Sequence, residues 1–452
     1  MRGQELDTLF APLSAYATLI LAVSGGADSV ALMHLVCDWA ADGQASRPGL
    51  VVATVDHGLR AGSAAEARWV GGMAQQLGLP HHVLTWTGTK PSVNVQASAR
   101  AARYALLGGL AAQFQGAAIV TAHHADDQAE TLLMRLARGS GADGLAAIPG
   151  RRSSMARAEG PGIAIERPLL SIPKQRLVAT LRARAIGWLE DPSNANENFE
   201  RVRWRRALPM LADLGLTVPA LARSARRLSR ARAALEQMTA QAWVAHVDLH
   251  DGVYAAIGRA GFAAEPEEIQ LRVLARALAV FGGDDEPARL SQVETALARL
   301  SGEGECRLTL GGCLLEAEGH EVRVMREPER RPLPALPLVP DEELVWDGRF
   351  NVGVFMREEC DICVRALGAE GVALLLHPTR GGVRSEEVDP ADRVVGPEVV
   401  KRLRGLPRAA ALALPSFWMG PRLVAVPHLA WHDDASFDDP PGWVRLVGTQ
   451  AT

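Results

Sequence analysis

Six residues near the start of the chain have the types and spacing of an anion-binding loop. The segment Ser24-Gly25-Gly26-Ala27-Asp28-Ser29 follows a short apolar run and precedes an apolar stretch with helical periodicity. Between a strand and a helix, free backbone N–H groups and the positive end of the helix dipole converge on a bound anion. Paired glycines let the backbone approach a phosphate closely, and Asp28 could hold Mg²⁺ against it. The loop therefore predicts phosphate binding rather than an ordinary glycine turn.

The same loop resembles the SGGxDS signature of the ATP pyrophosphatases, the PP-loop family. It is not a Walker A motif, because no Gly-Lys-Ser/Thr follows. Members of that family cleave ATP to AMP and pyrophosphate while they adenylate a carbonyl or carboxyl oxygen. The resemblance implies a site for ATP and Mg²⁺, with Asp28 as the metal ligand. The residues predicted to bind ATP are Ser24, Gly25, Gly26, Ala27, Asp28, Ser29, Val55, Asp56 and His57.

Length, charge and cysteine content restrict the class of protein. The chain has 452 residues, 48% of them hydrophobic, and a net charge of −4. The length predicts about three domains, and the charge gives no overall attraction to nucleic acid. Five cysteines without a pairing scheme indicate a reducing, cytoplasmic setting. No membrane partner is expected, because no segment reaches the ~18 uninterrupted apolar residues of a membrane-spanning helix.

Strand-length apolar runs alternate with helix-length amphipathic stretches up to about residue 191. The predicted strands are Thr18–Val23, Leu50–Val55, His82–Trp86 and Ala117–Thr121. The predicted helices are Ser29–Ala40, Ala64–Leu77, Val95–Phe114 and Asp126–Arg138. This alternation favours an α/β fold with a doubly wound, mostly parallel, Rossmann-like sheet. Ligands then bind beyond the carboxyl ends of the strands, where Ser24, Asp56 and His123 lie.

Composition divides the rest of the chain. We predict a catalytic domain over residues 1–205, a mainly helical domain over 206–326 that ends in two strands at Cys306–Leu310 and Cys313–Glu318, and a small α+β domain over 341–452. Residues 327–340 carry five prolines and are predicted to be a linker that few contacts cross.

Three further segments make the family resemblance more specific. They are Asp56-His57-Gly58-Leu59-Arg60, the stretch from Asn94 to Tyr104 that contains Arg100 and Arg103, and the stretch from His123 to Thr131. They resemble the HGLR, N-x-(E/Q)-x-x-A-R-x-x-R-Y and AHHxxDxxET elements of tRNA(Ile)-lysidine synthases. The RPLL and E-D-x-S-N blocks of that family are matched at Arg167–Leu170 and Glu190–Asn194.

The resemblance implies a ligase that joins L-lysine to C2 of the wobble cytidine of tRNA(Ile) with a CAU anticodon, through an adenylated cytidine. Arg100 and a Mg²⁺ ion on Asp28 would stabilise charge on the α-phosphate. His123 and Asp127 would hold and deprotonate lysine, whose ε-amine has a pKa of ~10.4 and is almost entirely protonated at neutral pH. A metal site at His123, His124, Asp126 and Asp127 is disfavoured, because adjacent histidines do not share a helix face. Asp126 is instead predicted to cap the helix and His124 to be solvated.

Basic residues are concentrated between Glu166 and Arg232, where 14 Lys/Arg accompany 6 Asp/Glu. This local excess predicts contacts with RNA phosphates, and Trp204 could stack on an unpaired base. The residues predicted to bind RNA are Arg60, Arg103, Arg201, Arg203, Trp204 and Arg205. For Arg223 to Arg232 a solvated helix face is an equal alternative. Val202 stands where the family tends to have Asn.

Two other functions stay open from the residues alone. A thiolating PP-loop enzyme would need paired thiols near the catalytic domain, whereas Cys360 and Cys363 lie in the C-terminal region and Cys37 in an apolar helix stripe. A non-catalytic nucleotide sensor would keep the loop without the Arg100–Tyr104 and His123–Asp127 elements. A homodimer is compatible with the sequence.

Overall fold

The computed structural model divides into two compact units, Met1–Ala234 and Leu235–Thr452. It describes residues 1–41, 47–58, 62–88, 90, 95–153, 162–190, 200–283, 287–302, 304–328, 332–340, 342–355, 361–377, 395–433 and 442–446. Arg60, Asn94, Cys360 and residues 191–194 lie outside these ranges. The domain boundaries at 205, 326 and 340 stay predictions. Within the described ranges, no helix is long and apolar enough to cross a membrane.

The first unit is built on one six-stranded sheet. Its strands are β1 (Thr18–Ala22), β2 (Gly49–Asp56), β3 (His81–Thr85), β4 (Ala117–Val120), β5 (Arg151–Ser153) and β6 (Ala164–Glu166). The order is β3-β2-β1-β4-β6-β5, and every pair is parallel except β5 with β6. The sheet confirms the predicted fold class. The order reverses between β1 and β4, so the crevice for a ligand lies beyond the carboxyl ends of these two strands.

Helices cover both faces of this sheet, as the alternation predicted. They are α1 (Gln4–Phe10), α2 (Ala27–Ala41), α3 (Ser63–Gln76), α4 (Val95–Ala111), α5 (Ala125–Leu136), α6 (Ala142–Leu145), α7 (Lys174–Ala183), α8 (Glu200–Asp213) and α9, which begins in this unit (Val218–His246). Alternate residues of β1 reach opposite faces: Leu19 and Leu21 pack in the core formed with α2 and α7, whereas Ile20 packs with Leu107 of α4. Because β1 is buried on both faces, its position in the sheet is fixed, and the loop that follows it lies at the crevice.

The second unit contains more strand than its composition predicted. The region between 247 and 326 forms an antiparallel sheet in the order β7-β8-β11-β10-β9, packed against helices. The strands are β7 (Val247–His250), β8 (Tyr254–Gly258), β9 (Cys306–Leu310), β10 (Cys313–Glu318) and β11 (Glu321–Arg326). The helices are α10 (Arg259–Ala263), α11 (Glu267–Phe281) and α12 (Leu290–Leu300).

The remainder of this unit is the predicted mixture of helix and strand. Its helices are α13 (Gly368–Leu376), α14 (Pro397–Gly405) and α15 (Arg408–Leu412). Two antiparallel sheets have the orders β12-β15-β16-β17-β18 and β13-β14-β19. These strands are β12 (Leu336–Pro337), β13 (Leu344–Trp346), β14 (Phe350–Val354), β15 (Ile362–Ala366), β16 (Pro415–Met419), β17 (Arg422–Val426), β18 (Trp431–His432) and β19 (Gly442–Leu446).

The proline-rich segment is packed rather than free. Leu336 pairs with Val364 as the edge of a sheet, Leu338 is buried, and the indole N–H of Trp346 donates to the carbonyl of Pro334 at 2.8 Å. The expectation that few contacts cross this segment is wrong, because its leucines alternate with its prolines and enter an apolar core. Prolines at an edge strand cost no ladder hydrogen bond.

A buried ion network also joins the two sides of that segment. The Asp347 carboxylate accepts hydrogen bonds from Arg326 Nε at 2.9 Å and from Arg349 Nε at 2.8 Å, and all three side chains are buried. Removing one partner would leave a buried charge uncompensated, which costs about 3–5 kcal/mol. The strands before and after the proline-rich segment therefore form one structure.

Candidate active site

The predicted phosphate loop is held by its own hydrogen bonds. The Ser29 hydroxyl donates to the carbonyl of Gly26 at 2.9 Å and accepts from the backbone N–H of Ser24 at 3.2 Å. Helix α2 begins at Ala27, so the unpaired N–H groups of its first turn lie next to the carboxyl end of β1. This arrangement is suited to a phosphate group.

Gly25 is the loop residue at which the backbone conformation and the available space leave the least room for a side chain. Its φ is 90°, and its carbonyl accepts a hydrogen bond from the backbone N–H of Leu189 at 2.9 Å. A Cβ added there would lie 2.8 Å from Cδ1 of Leu189. Only glycine fits both the left-handed conformation and the close approach.

We expect Gly25→Ala to destabilise the protein by about 1–3 kcal/mol, because it places a side chain in a strained conformation. ATP affinity should fall at least about tenfold, since a backbone that relaxes from the positive φ displaces the N–H groups of the loop. Gly26→Ala is the matched control for stability, because the nearest atom to its added Cβ is 3.9 Å away. Thermal unfolding and ATP titration check the prediction, and an unchanged melting temperature for Gly25→Ala would contradict it.

His124 is surrounded by three carboxylates. Its side chain is only 3% exposed; Nε2 lies 3.4 Å from Asp28 Oδ2 and 3.6 Å from Asp127 Oδ2, and Nδ1 lies 3.6 Å from Asp126 Oδ2. Burial alone would lower the pKa of His124, but Asp126 and Asp28, with Asp127, raise it to about 10. The prediction of a solvated His124 is wrong. The imidazolium joins the loop after β1 to the first turn of α5.

Asp28 lies between two cations. Its Oδ2 accepts a hydrogen bond from Lys174 Nζ at 3.2 Å. Burial alone would raise the pKa of Asp28, but His124 and Lys174 together lower it, so the side chain is a carboxylate. Its other oxygen, Oδ1, is buried and has no hydrogen-bond partner among the residues that the structure describes.

The cap of α5 differs from the sequence prediction. Asp127 accepts the backbone N–H of His124 at 3.0 Å and so caps α5. Asp126 instead accepts the backbone N–H of Lys174 at 2.8 Å, at the first residue of α7. The prediction that Asp126 caps its own helix is therefore wrong, because a helix distant in sequence supplies its donor.

His123 is a neutral imidazole at neutral pH. Burial lowers its pKa to about 4, Asp127 opposes this shift, and Arg167, Arg100 and Arg201 add to it. Its Nδ1 lies 2.8 Å from the Thr121 hydroxyl. The other ring nitrogen is then suited to exchanging a hydrogen bond with a substrate.

Glu130 lies in the site, although no role was predicted for it from the sequence. It lies one turn after Asp127 in α5, its side chain is 0% exposed, and Oε1 accepts from Arg205 Nε at 2.8 Å. Burial raises the pKa of Glu130 in spite of Arg205. Its Oε2 is buried without a hydrogen-bond partner within the described part of the chain. The sequence could have indicated Glu130 by its spacing, because residues three apart in a helix, such as Asp127 and Glu130, share a helix face.

The tip of β2 ends at the same edge of the sheet as the tip of β1, because the two strands are parallel neighbours. Asp56 Oδ1 accepts the backbone N–H of Gly58 at 2.8 Å. The rings of His57 and Trp86 contact edge-on, with 6.0 Å between their centroids. Arg103 is exposed, with Nη2 3.5 Å from His57 Nε2. Arg100 is exposed and lies 5.2 Å from the centre of the Tyr104 ring.

Several residues predicted to bind RNA have partners inside the protein. Arg205 pairs with Glu130, and Arg201 donates to the Thr131 hydroxyl at 3.3 Å. Trp204 is half-buried against the core that α5, α8 and α9 share. Val202 is buried, so an apolar side chain suits that position. Arg203 is exposed. RNA binding by this group stays a prediction.

The sheet order and the loop between β1 and α2 define a PP-loop protein, and the family model of the PP-loop domain matches residues 2–211. The tRNA(Ile)-lysidine synthase of Bradyrhizobium diazoefficiens is 43% identical over 352 residues, which cover 73% of this chain and 95% of that protein. That of Methylobacterium nodulans is 46% identical over 341 residues, covering 73% and 96%. That of Ruegeria pomeroyi is 39% identical over 409 residues, covering 90% and 87%.

The chain belongs to the tRNA(Ile)-lysidine synthase family. The predicted family and the predicted class of enzyme, a ligase that uses ATP, are confirmed.

Proposed function

We propose that this chain joins L-lysine to C2 of the wobble cytidine of tRNA(Ile) with a CAU anticodon, with Mg-ATP as co-substrate, in the cytoplasm. One observation carries the proposal. The phosphate-loop residue Asp28 and the α5 residue Asp127 each lie within 3.6 Å of the same His124 imidazole. The groups suited to adenylation and those suited to amine transfer therefore share one crevice.

In the first half-reaction the C2 oxygen of cytidine forms a bond to the α-phosphorus of ATP, and pyrophosphate leaves. The first turn of α2 and the loop N–H groups bind the phosphates, and Lys174 and Arg100 supply cationic side chains beside them. Such stabilisation accounts for about 10²–10³-fold in rate for each well-placed group.

The residues around Asp28 fit a Mg²⁺ ion. The described part of the chain contains no set of three or more His, Cys, Asp or Glu side chains that could hold a metal. Magnesium commonly takes only one or two carboxylates and completes its shell with phosphate oxygens and water. The unpartnered Asp28 Oδ1 offers one such ligand. The ion would neutralise charge on the transferring phosphate.

In the second half-reaction the ε-amine of lysine forms a bond to C2, and AMP leaves with the former C2 oxygen. Lysine must first lose a proton from its ammonium group. Asp127 and the unpartnered Oε2 of Glu130 lie on one face of α5 and are suited to holding that ammonium. Neutral His123 is suited to accepting a hydrogen bond from the same group.

The cysteines argue against thiolation. Burial raises the pKa of the Cys37 thiol to about 11 and that of Cys313 to about 12, so neither is a thiolate at neutral pH. Cys306 and Cys363 lie in β9 and β15 of the second unit, and Cys360 is outside the described residues.

We expect the double variant Cys360→Ser, Cys363→Ser to modify the wobble cytidine at the wild-type rate, because lysidine formation uses an amine nucleophile. Mass spectrometry of the digested tRNA should show a nucleoside that has gained lysine and contains no sulfur. Omitting lysine is the control and should abolish the product. A sulfur-containing nucleoside, or loss of activity in the double variant, would contradict the proposed function.

A further inference from the structure

Helix α9 carries four exposed arginines on one face. Arg223, Arg226, Arg227 and Arg230 follow the i, i+3, i+4, i+7 spacing, and each is exposed. We call these four residues the arginine stripe.

The opposite face of α9 is buried. Leu221 and Ala225 are buried and Leu228 is half-buried, in the core that also contains Ala129 and Leu133 of α5. At roughly 100° per residue, the centre of the arginine stripe lies about 180° around the helix from the centre of this apolar stripe. The guanidinium groups are therefore directed away from the first unit, on a helix that is fixed to it.

The arginines of the stripe are not neutralised by any acidic side chain in the described part of the chain. Among the residues that the structure describes, none of the four takes part in an ion pair, whereas Arg232, on the next half-turn, lies 3.5 Å from Asp143. Elsewhere on the surface the arginines of helices do pair, as Arg272 does with Glu268 at 2.8 Å. Positive charges three and four residues apart repel one another weakly, so this face favours a bound anion.

We propose that the arginine stripe binds the phosphodiester backbone of the tRNA substrate. The stripe extends about 10 Å along the helix axis, at 1.5 Å per residue. A nucleic acid strand with one phosphate per about 3.4 Å of rise places two or three phosphates over that distance. Guanidinium groups match phosphate oxygens with paired hydrogen bonds. This inference rests on the proposed function, because that function supplies the RNA.

The location of the stripe gives it a positioning role. Because α9 packs on α5, RNA bound to the stripe is held at a fixed distance from Asp127 and Glu130. The contact is with backbone phosphates, so it contributes affinity and orientation rather than base recognition.

The experiment measures binding of an unmodified tRNA transcript with a CAU anticodon, as a function of salt. The test variant replaces Arg223, Arg226, Arg227 and Arg230 by Gln, a residue with similar helix propensity at exposed positions. We expect the dissociation constant to rise at least about tenfold, and the slope of log affinity against log salt to become less steep by about 2, at 0.7–0.9 for each of the two or three lost phosphate contacts. The KM for ATP should not change.

Two controls separate charge from structure. Replacing the same four residues by Lys should keep the wild-type salt slope. Replacing Arg68 and Arg182, exposed arginines of α3 and α7, by Gln should also keep it. Equal affinity and slope for the Gln variant and wild type would show a solvated helix face and overturn the inference. If wild type binds this tRNA but attaches no lysine, the proposed function fails while the binding comparison still decides the role of the stripe.

Discussion

Asp28→Ala is expected to reduce pyrophosphate release by at least about 10²–10³-fold, while the affinity for tRNA changes little. The side chain holds Lys174 and His124 through Oδ2 and keeps a second, buried oxygen without a partner. Its loss removes the proposed metal ligand and releases both cations from their positions beside the phosphate loop. No contact with an RNA phosphate is lost, because a carboxylate does not bind one.

Asp38→Ala is the matched control for this prediction. Asp38 lies in the same helix, α2, but pairs with Arg184 on the surface. We expect wild-type pyrophosphate release from that variant. Asp28→Asn keeps the shape of the side chain and removes its charge, so it should be nearly as inactive as Asp28→Ala. Pyrophosphate release with saturating tRNA is the measurement, and wild-type turnover in Asp28→Ala would remove Asp28 from the ATP site.

Local patterns were enough to predict the elements that carry the site. Each of the four predicted strands lies within one residue of an observed strand at both ends. Three of them are apolar runs buried in the sheet, and the fourth, β3, is a more exposed edge strand that turn residues delimit in the sequence. The loop from Ser24 to Ser29 was predictable because its glycines and hydroxyls meet a local requirement of the backbone.

Contacts between distant parts of the chain were not predictable in this way. Lys174 meets Asp28 across 146 residues, and Arg205 meets Glu130 across 75. No spacing in the sequence indicates either pair, because one depends on how α7 packs on α2 and the other on how α8 packs on α5. His124 was expected to be solvated partly for the same reason: Asp126 and Asp127 are near it in sequence, but Asp28 reaches it only when α2 and α5 are placed side by side.

Asp127→Asn is expected to separate the two half-reactions. In the wild type, Asp127 Oδ2 caps α5 by accepting the backbone N–H of His124 at 3.0 Å. The oxygen of the new amide can still accept this hydrogen bond, so the helix should keep its first turn. The amide cannot take a proton from the lysine ammonium, and losing such a base typically slows a step by about 10²–10⁴-fold. Adenylated tRNA should therefore accumulate, because its formation uses the phosphate loop and its consumption uses Asp127.

Radiolabelled ATP and a single-turnover time course measure both steps, with lysine added after the adenylate has formed. Asp126→Asn is the control, because the Asp126 carboxylate accepts the backbone N–H of Lys174 at the start of α7. It should lower stability without changing the ratio of the two rates. Glu130→Gln should resemble Asp127→Asn, since both lie on the face of α5 proposed to hold lysine. If Asp127→Asn slows adenylation as much as lysine transfer, Asp127 acts on ATP, and the division of the crevice into an ATP side and a lysine side is wrong.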